Sequence, residues 1–340
     1  MAWTSRWRSR SCHRTEPGRG RVTEPSDAST SPRFAQVATY GRLPLRRDFV
    51  GAKSVFLGIP WDDATSYRSG AREGPSSIRH ASRLVRPYNM FAGVYPFRVL
   101  DTVDAGDIDP VPGYTEDTFT RIESTLTPIF AAGVVPFVAG GDHSITLPVL
   151  RAHKAAGKEP VSLLHFDAHF DTWEAYWGTK RYTHGTWVKR AYEEGLIRRG
   201  HVFQVGIRSS LYSHDDVSNN SAIVERTFTS EDVDAQGYQP ITDRILESVG
   251  ASPLYVSLDI DVLDPAFAPG TGTPESGGLT SREMIHFVRE LHRANLVGFD
   301  LVEVAPQYDH TGQITALAAS NLIYEAMCAL ARYRSNASDH

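Results

Sequence analysis

From about residue 50 onward, short runs rich in Val, Ile, Leu and Phe alternate with longer segments of helical character, with turn residues between them. Eight of these runs predict strands: KSVFLGI (53–59), RVLDTV (98–103), VVPFVA (134–139), VSLLHF (161–166), VFQVGI (202–207), AIVERTF (222–228), LYVSLDI (254–260) and LVGFDLV (296–302). Several are apolar at successive positions. A strand of that kind needs cover on both faces, which a parallel sheet between helical layers provides. Helical stretches at 116–132, 184–195, 280–293 and 314–333 supply the crossovers. The expected fold class is therefore α/β, three layers in the order α/β/α around a parallel sheet. No linker or repeat interrupts 50–335, so one domain over 34–340 is expected.

Ligands of open parallel sheets gather beyond the carboxyl ends of the strands. The polar residues that bear chemistry fall there: GGDHS (140–144), DAHFD (167–171), the Asp-Ile-Asp of 259–261 and VEV (302–304) each follow or end a strand. In an extended chain, alternate residues point the same way, so Asp167, His169 and Asp171 would share a side, as would Asp259 and Asp261. Unpaired carboxylates at a water-poor strand end cost several kcal/mol each, so a cation is expected among them. With His143 the set is four carboxylates and two imidazoles, more than one tetrahedral zinc needs and suited to two divalent ions with shared ligands. A single Asp-x-His or Asp-x-Asp is more often a turn, a cap or a solvated loop, and His143 alone reads equally as a helix-start histidine capped by Asp142. Recurrence at three strand ends carries the argument. Oxygen donors, two imidazoles and no thiolate suit Mn2+, with Ni2+, Co2+ and Zn2+ able to compete. Two such ions about 3.5–4 Å apart would ionise a shared water near neutral pH, which points to hydrolysis.

Composition narrows the alternatives. The formal charge of −5 hides six arginines against one glutamate in residues 1–22, which leaves the remainder near −10. An acidic body argues against a nucleic-acid groove, and no run approaches the roughly 18 consecutive apolar residues of a membrane span. Cys12 and Cys328 match no zinc or redox spacing. Residues 1–33, rich in Arg, Ser, Thr, Pro and Gly, read as a disordered basic extension. The expected location is cytoplasmic, or mitochondrial if the Arg-rich start is a presequence.

The motifs GGDHS, DAHFD, SLDIDVLDPAFAPGTGTPESGGLTSRE and DLVEVAPQYD together resemble the ureohydrolases, the arginase and agmatinase family, over residues 34–332. The resemblance implies an eight-stranded parallel sheet between helices, a homo-oligomer (trimer or hexamer) and manganese-dependent hydrolysis of a guanidino compound to urea and an amine. It implies that His143, Asp167, Asp171 and Asp259 hold one ion and Asp167, His169, Asp259 and Asp261 the other. His184 would match a proton-shuttling histidine and Glu303 the carboxylate that pairs with the guanidinium. Asp171, beside metal and nucleophile, is placed to pass a proton to the leaving nitrogen. The alternatives are that His184 caps a helix and that Glu303 pairs with Arg208.

The segment TWEAYWGTKRYT (172–183) lacks the Asn- and Ser-rich run with which arginases hold an α-amino acid, and GIRSSL (206–211) lacks acidic residues for an α-ammonium group. Agmatine, giving putrescine, is the expected substrate. A guanidino acid such as guanidinobutyrate or guanidinopropionate is the alternative. Trp173, Tyr176 and Trp177 are candidate walls for a methylene chain, and Lys180 and Arg181 candidate partners for a substrate carboxylate. A one-metal deacetylase and a noncatalytic relative are the other classes weighed. Asp171 and Asp261, which provide for a second ion, argue against the first, and the complete ligand set argues against the second.

Overall fold

The computed structural model describes residues 24–338. Most of the extension expected over 1–33 lies outside them. Its described part rests on the body through the Ser26 N–H to Arg42 carbonyl hydrogen bond (3.0 Å) and a Glu24–Arg98 ion pair (2.7 Å).

Eight strands form one sheet: β1 Ser54–Gly58, β2 Val103–Asp107, β3 Val135–Ala139, β4 Val161–Phe166, β5 Ile197–Ile207, β6 Arg226–Thr229, β7 Leu254–Asp259 and β8 Leu296–Val302. Their order is β2-β1-β3-β8-β7-β4-β5-β6, and every pairing is parallel. The alternation along each strand feeds two cores. Phe56, Phe137, Leu164 and Phe166 enter one cluster, while Val55, Leu57, Val138 and Leu163 enter the other. Both faces are therefore buried, as the uninterrupted apolar runs require.

Two strands begin later than the apolar runs suggest. Residues Pro96–Leu100 form a short helix that starts with its proline, and Asp101, in the left-handed region (φ 46°), ends it before β2 starts at Val103. Likewise, Ala222 caps the helix Asp215–Ser221, so β6 starts only at Arg226. In contrast, β5 reaches back to Ile197, through Arg198–Gly200, which are exposed and carry no apolar signal. The C-terminal helix Ile314–Ser338 is long and apolar enough to cross a membrane by length and composition, yet 78% of its most apolar window is buried inside the protein.

The topology places β3, β8, β7 and β4 side by side at the sheet centre. Register levels their ends: Phe166 pairs with Leu258, Leu258 with Leu301, and Asp259 with Val302. His143, Glu303, Asp259 and Asp167 therefore emerge from four adjacent strands at one height.

Candidate metal centre and cavity

The site residues converge, but through bends and not through extended alternation. β4 stops at Phe166, Asp171 is left-handed (φ 55°), and Asp261 sits in a 3-10 turn, Ile260–Val262, held by its own N–H to Asp259 Oδ1 at 2.8 Å. The alternation expected of an extended chain is therefore not what aligns these carboxylates. Loop backbone bonds replace it: Asp167 Oδ1 accepts from His169 N (2.6 Å), and Asp261 Oδ1 accepts from Ala168 N (3.1 Å).

His143 Nδ1 lies 3.1 Å from Asp167 Oδ2, 3.2 Å from Asp171 Oδ2 and 3.3 Å from Asp259 Oδ2. His169 Nδ1 lies 3.3 Å from Asp167 Oδ1 and 3.0 Å from Asp261 Oδ2. Asp167 thus turns one oxygen to each histidine. The six residues expected as metal ligands are brought together: among the described residues five of them fall into two overlapping groups that could hold metal, one of which also includes His165, and the sixth, Asp259, stands outside both groups with Oδ2 3.3 Å from His143 Nδ1.

A test of fit comes from the tautomer of His143. Ser257 Oγ donates to Asp300 Oδ1 (2.6 Å) and so accepts from His143 Nε2–H (2.8 Å). Nδ1 is buried, has no well-formed hydrogen bond and faces three carboxylates. Such a cluster calls for positive charge at its centre, and a metal ion bound to the Nδ1 lone pair and the three carboxylates fits it. The electrostatics show the same demand for positive charge. Burial alone would lower the His143 pKa, yet hydrogen bonds to Asp167, Asp171 and Asp259 raise it well above its usual value. Burial, with Asp261 and Asp167 nearby, pushes the Asp259 carboxyl well up, and burial also raises Asp261.

The Gly-Gly of GGDHS has a steric reason. A Cβ on Gly141 would fall 1.6 Å from the Trp61 carbonyl oxygen, so only glycine lets this loop lie against residue 61. Asp142 caps the turn by accepting from Ser144 N (2.9 Å) and from Ala64 N (2.9 Å). The cap expected as an alternative to a ligand role for His143 coexists with the inward placement of that histidine.

Glu303, also left-handed (φ 64°) and 1% exposed, accepts at Oε1 from His143 N and His184 Nδ1, both at 3.0 Å. Its Oε2 is buried and unpartnered. His184 Nε2 accepts from Ser66 N (3.0 Å) and meets Ser66 Oγ at 2.7 Å. Arg208 does not pair with Glu303; its guanidinium instead donates to the carbonyls of Gly206, Asp261, Val262, Leu263, Glu275 and Ser276, clamping the long motif.

A cavity of about 220 Å³ opens over His143, His169, Asp171, Asp259 and His184, walled by Trp173, Tyr176, Tyr212, Ser66, Ser209, Ser210, Thr273 and Glu275. Trp173 and Tyr176 are where the sequence suggests. Trp177, Lys180 and Arg181 are not. A tight turn, closed by reciprocal Tyr176–Lys180 backbone bonds (2.9 Å each) with Trp177 and Gly178 left-handed, reverses the chain. Trp177 at its tip is 63% exposed, Arg181 pairs with Glu193 (2.7 Å), and Lys180 and Arg181 line a separate surface hollow with Tyr114 and Thr115. Thr273 and Glu275 lie within the long motif of 257–283, and Ser209 and Ser210 within GIRSSL, with nothing in the sequence to mark them as lining, while Ser66 and Tyr212 reach the cavity from segments outside every motif.

Fold and site together define a three-layer α/β protein with a buried His/Asp cluster, able to hold metal, at the centre of its carboxyl edge. The sequence profile of the Arginase family matches residues 52–329. The chain belongs to that family, as the four motifs suggest. It is 42% identical over 309 residues to guanidinopropionase of Pseudomonas aeruginosa, covering 91% of this chain and 96% of that one. It is 41% identical over 310 residues to the mitochondrial agmatinase of Gallus gallus, covering 91% and 90%. The solved structure of proclavaminate amidino hydrolase from Streptomyces clavuligerus superposes with a TM-score of 0.84 at 40% identity, covering 89% of this chain and all of that one.

Proposed function

We propose that this protein is a binuclear-metal ureohydrolase that cleaves a linear guanidino compound to urea and an amine. The carrying observation is the pair of orphaned buried atoms. His143 Nδ1 and the three carboxylates facing it call for positive charge, which a metal ion supplies, and Glu303 Oε2 calls for a donor such as a guanidinium N–H. A buried acceptor left unpaired costs about 1–3 kcal/mol, more when charged, and binding of such a group relieves that cost.

His143, Asp167, Asp171 and Asp259 would hold one ion and Asp167, His169, Asp259 and Asp261 the second. Donor hardness favours Mn2+. When bound, the pair supplies Lewis-acid activation of water for attack on an otherwise poor electrophile. Glu303 fixes the guanidinium by charge-assisted hydrogen bonding. Asp171, on the cavity wall with Oδ2 held by Trp187 Nε1–H (2.8 Å), has its other oxygen for proton transfer to the leaving nitrogen. His184, through Ser66 Oγ on the cavity wall, links Glu303 to the open side and serves as a proton route.

For the substrate tail, the cavity offers Trp173, Tyr176 and Tyr212 rings, Ser209 and Ser210 hydroxyls and Glu275, with no Lys or Arg among its described lining residues. An aromatic, anionic wall suits methylenes ending in an ammonium group, which favours agmatine. A guanidino acid is the second reading. It is favoured by the similarity to guanidinopropionase, and its carboxylate would take hydrogen bonds from the two serines. Urea release from Mn-loaded protein, compared across agmatine, guanidinobutyrate, guanidinopropionate and arginine, decides between them; release from none refutes the function. Residues 34–340 are proposed as the catalytic unit, so deletion of 1–33 should preserve turnover. A homo-oligomer belongs to the proposal too. Exposed Tyr88, Met90 and Phe91 support it, and light scattering tests it.

A further inference from the structure

His165, two residues before the motif DAHFD, stands in one of the groups that could hold metal, together with His143, Asp167 and Asp171. Its hydrogen bonds assign it a different task. Gln204 Nε2 lies 2.7 Å from the Phe170 carbonyl oxygen, which can only accept, so the amide orientation is fixed with its NH2 toward that oxygen. The same NH2 lies 3.2 Å from His165 Nδ1. Gln204 Oε1, on the other side, accepts from Asn220 Nδ2 at 3.0 Å, and Asn220 Oδ1 accepts from Thr172 Oγ1 at 3.0 Å. His165 Nδ1 is therefore an acceptor. The ring hydrogen sits on Nε2 and is donated to Asp167 Oδ2 at 2.8 Å.

A ring nitrogen that carries hydrogen has no lone pair for a metal, and the other nitrogen faces Gln204. We propose that His165 is a positioning residue and not a ligand: a neutral imidazole whose Nε2–H orients the carboxylate shared by both metal positions. This rests on the metal-centre reading above. Asp167 then presents Oδ2 toward His143 and Oδ1 toward His169, and a loss of orientation reaches both positions at once. The network also ties down the next ligand, because Gln204 holds Phe170 and Asn220 holds Thr172, the residues on either side of left-handed Asp171. His165, Gln204 and Asn220 are at most 2% exposed, so no water competes for these bonds.

The test measures Mn(II) binding by chelator competition, without turnover, in wild type, His165→Phe and His165→Gln. Phenylalanine fills the site but cannot donate, whereas the glutamine amide nitrogen reaches about where Nε2 was. The expected result is that His165→Phe weakens Mn(II) binding about 10- to 100-fold at both positions. His165→Gln should stay within about threefold of wild type with two ions retained. In the metal-free protein, 15N histidine spectra should show His165 as the Nε2–H tautomer. If the phenylalanine variant does not fold, His165→Asn, too short to reach Asp167, gives the same readout. Normal wild-type uptake with unchanged affinity in the donor-less variant overturns the positioning role alone. Loss of one ion in both His165→Phe and His165→Gln overturns it in favour of a ligand. A wild-type protein that takes up no Mn(II) overturns the metal reading and this role together.

Discussion

Replacing Glu303 by glutamine exchanges one oxygen for an NH2 group, and the structure dictates which one. Oε1 is held by the backbone N–H of His143 and by His184 Nδ1, each at 3.0 Å. A backbone N–H can only donate, so the glutamine carbonyl oxygen must stay there and the NH2 must take the buried, unpartnered position of Oε2. A donor would then face the donors of a guanidinium. The loss is at least one charge-assisted hydrogen bond, about 1.5–3 kcal/mol, or about 10- to 150-fold in kcat/KM. Part of the contact is made to bound substrate and part only as the transition state forms, so KM should rise and kcat fall together. Glu303 is not among the proposed metal ligands, so Mn content should not change. Urea-release kinetics with metal analysis of the same samples measure both quantities. A Glu303→Gln enzyme within threefold of wild type in kcat/KM refutes this account of guanidinium recognition.

Other outcomes follow from the same geometry. Asp261→Ala, which strips His169 Nδ1 of its 3.0 Å neighbour, should lower bound metal to about one ion per chain and turnover by at least about 100-fold, read by metal analysis and urea release. Arg181→Ala should leave KM for the preferred substrate within about twofold, since its partner is Glu193 and not the cavity. His153, 5% exposed and edge-on to Phe130 at 5.0 Å, has its pKa pushed by burial, with Lys158 adding, from 6.5 to about 4. The unfolded chain takes up that proton first, so stability falls as pH drops from about 6.5 toward 4, by about 2 kcal/mol at pH 5. The contribution is flat above about pH 7.5. His153→Phe should lose that part of the slope in denaturation measured at pH 5 and 7.5.

The sheet was legible because burial on both faces leaves uninterrupted apolar runs, and β4 and β8 match their runs residue for residue. The start of β5 was not, since Arg198 and Arg199 are strand residues in solvent. The convergence of the candidate ligands was legible because four carboxylates and two histidines recur at strand ends that the sheet brings side by side. Their geometry was not: left-handed Asp171 and the turn at Asp261 depend on backbone bonds between loops 93 residues apart, such as Ala168 N to Asp261 Oδ1. Trp173 and Tyr176 were reachable from one segment, whereas Trp177, Lys180 and Arg181 on the same segment are turned away by a reversal that the string of residues does not announce. His165 was hidden in plain view, reading as part of a strand until its partner Gln204 on β5 came alongside.

The claim that most needs a direct test is the pair of metal positions sharing Asp167 and Asp259. Purified protein equilibrated with Mn(II), freed of loosely bound metal and assayed for metal per chain should hold two ions. One ion per chain, or none, in protein that releases urea at full rate would contradict the account.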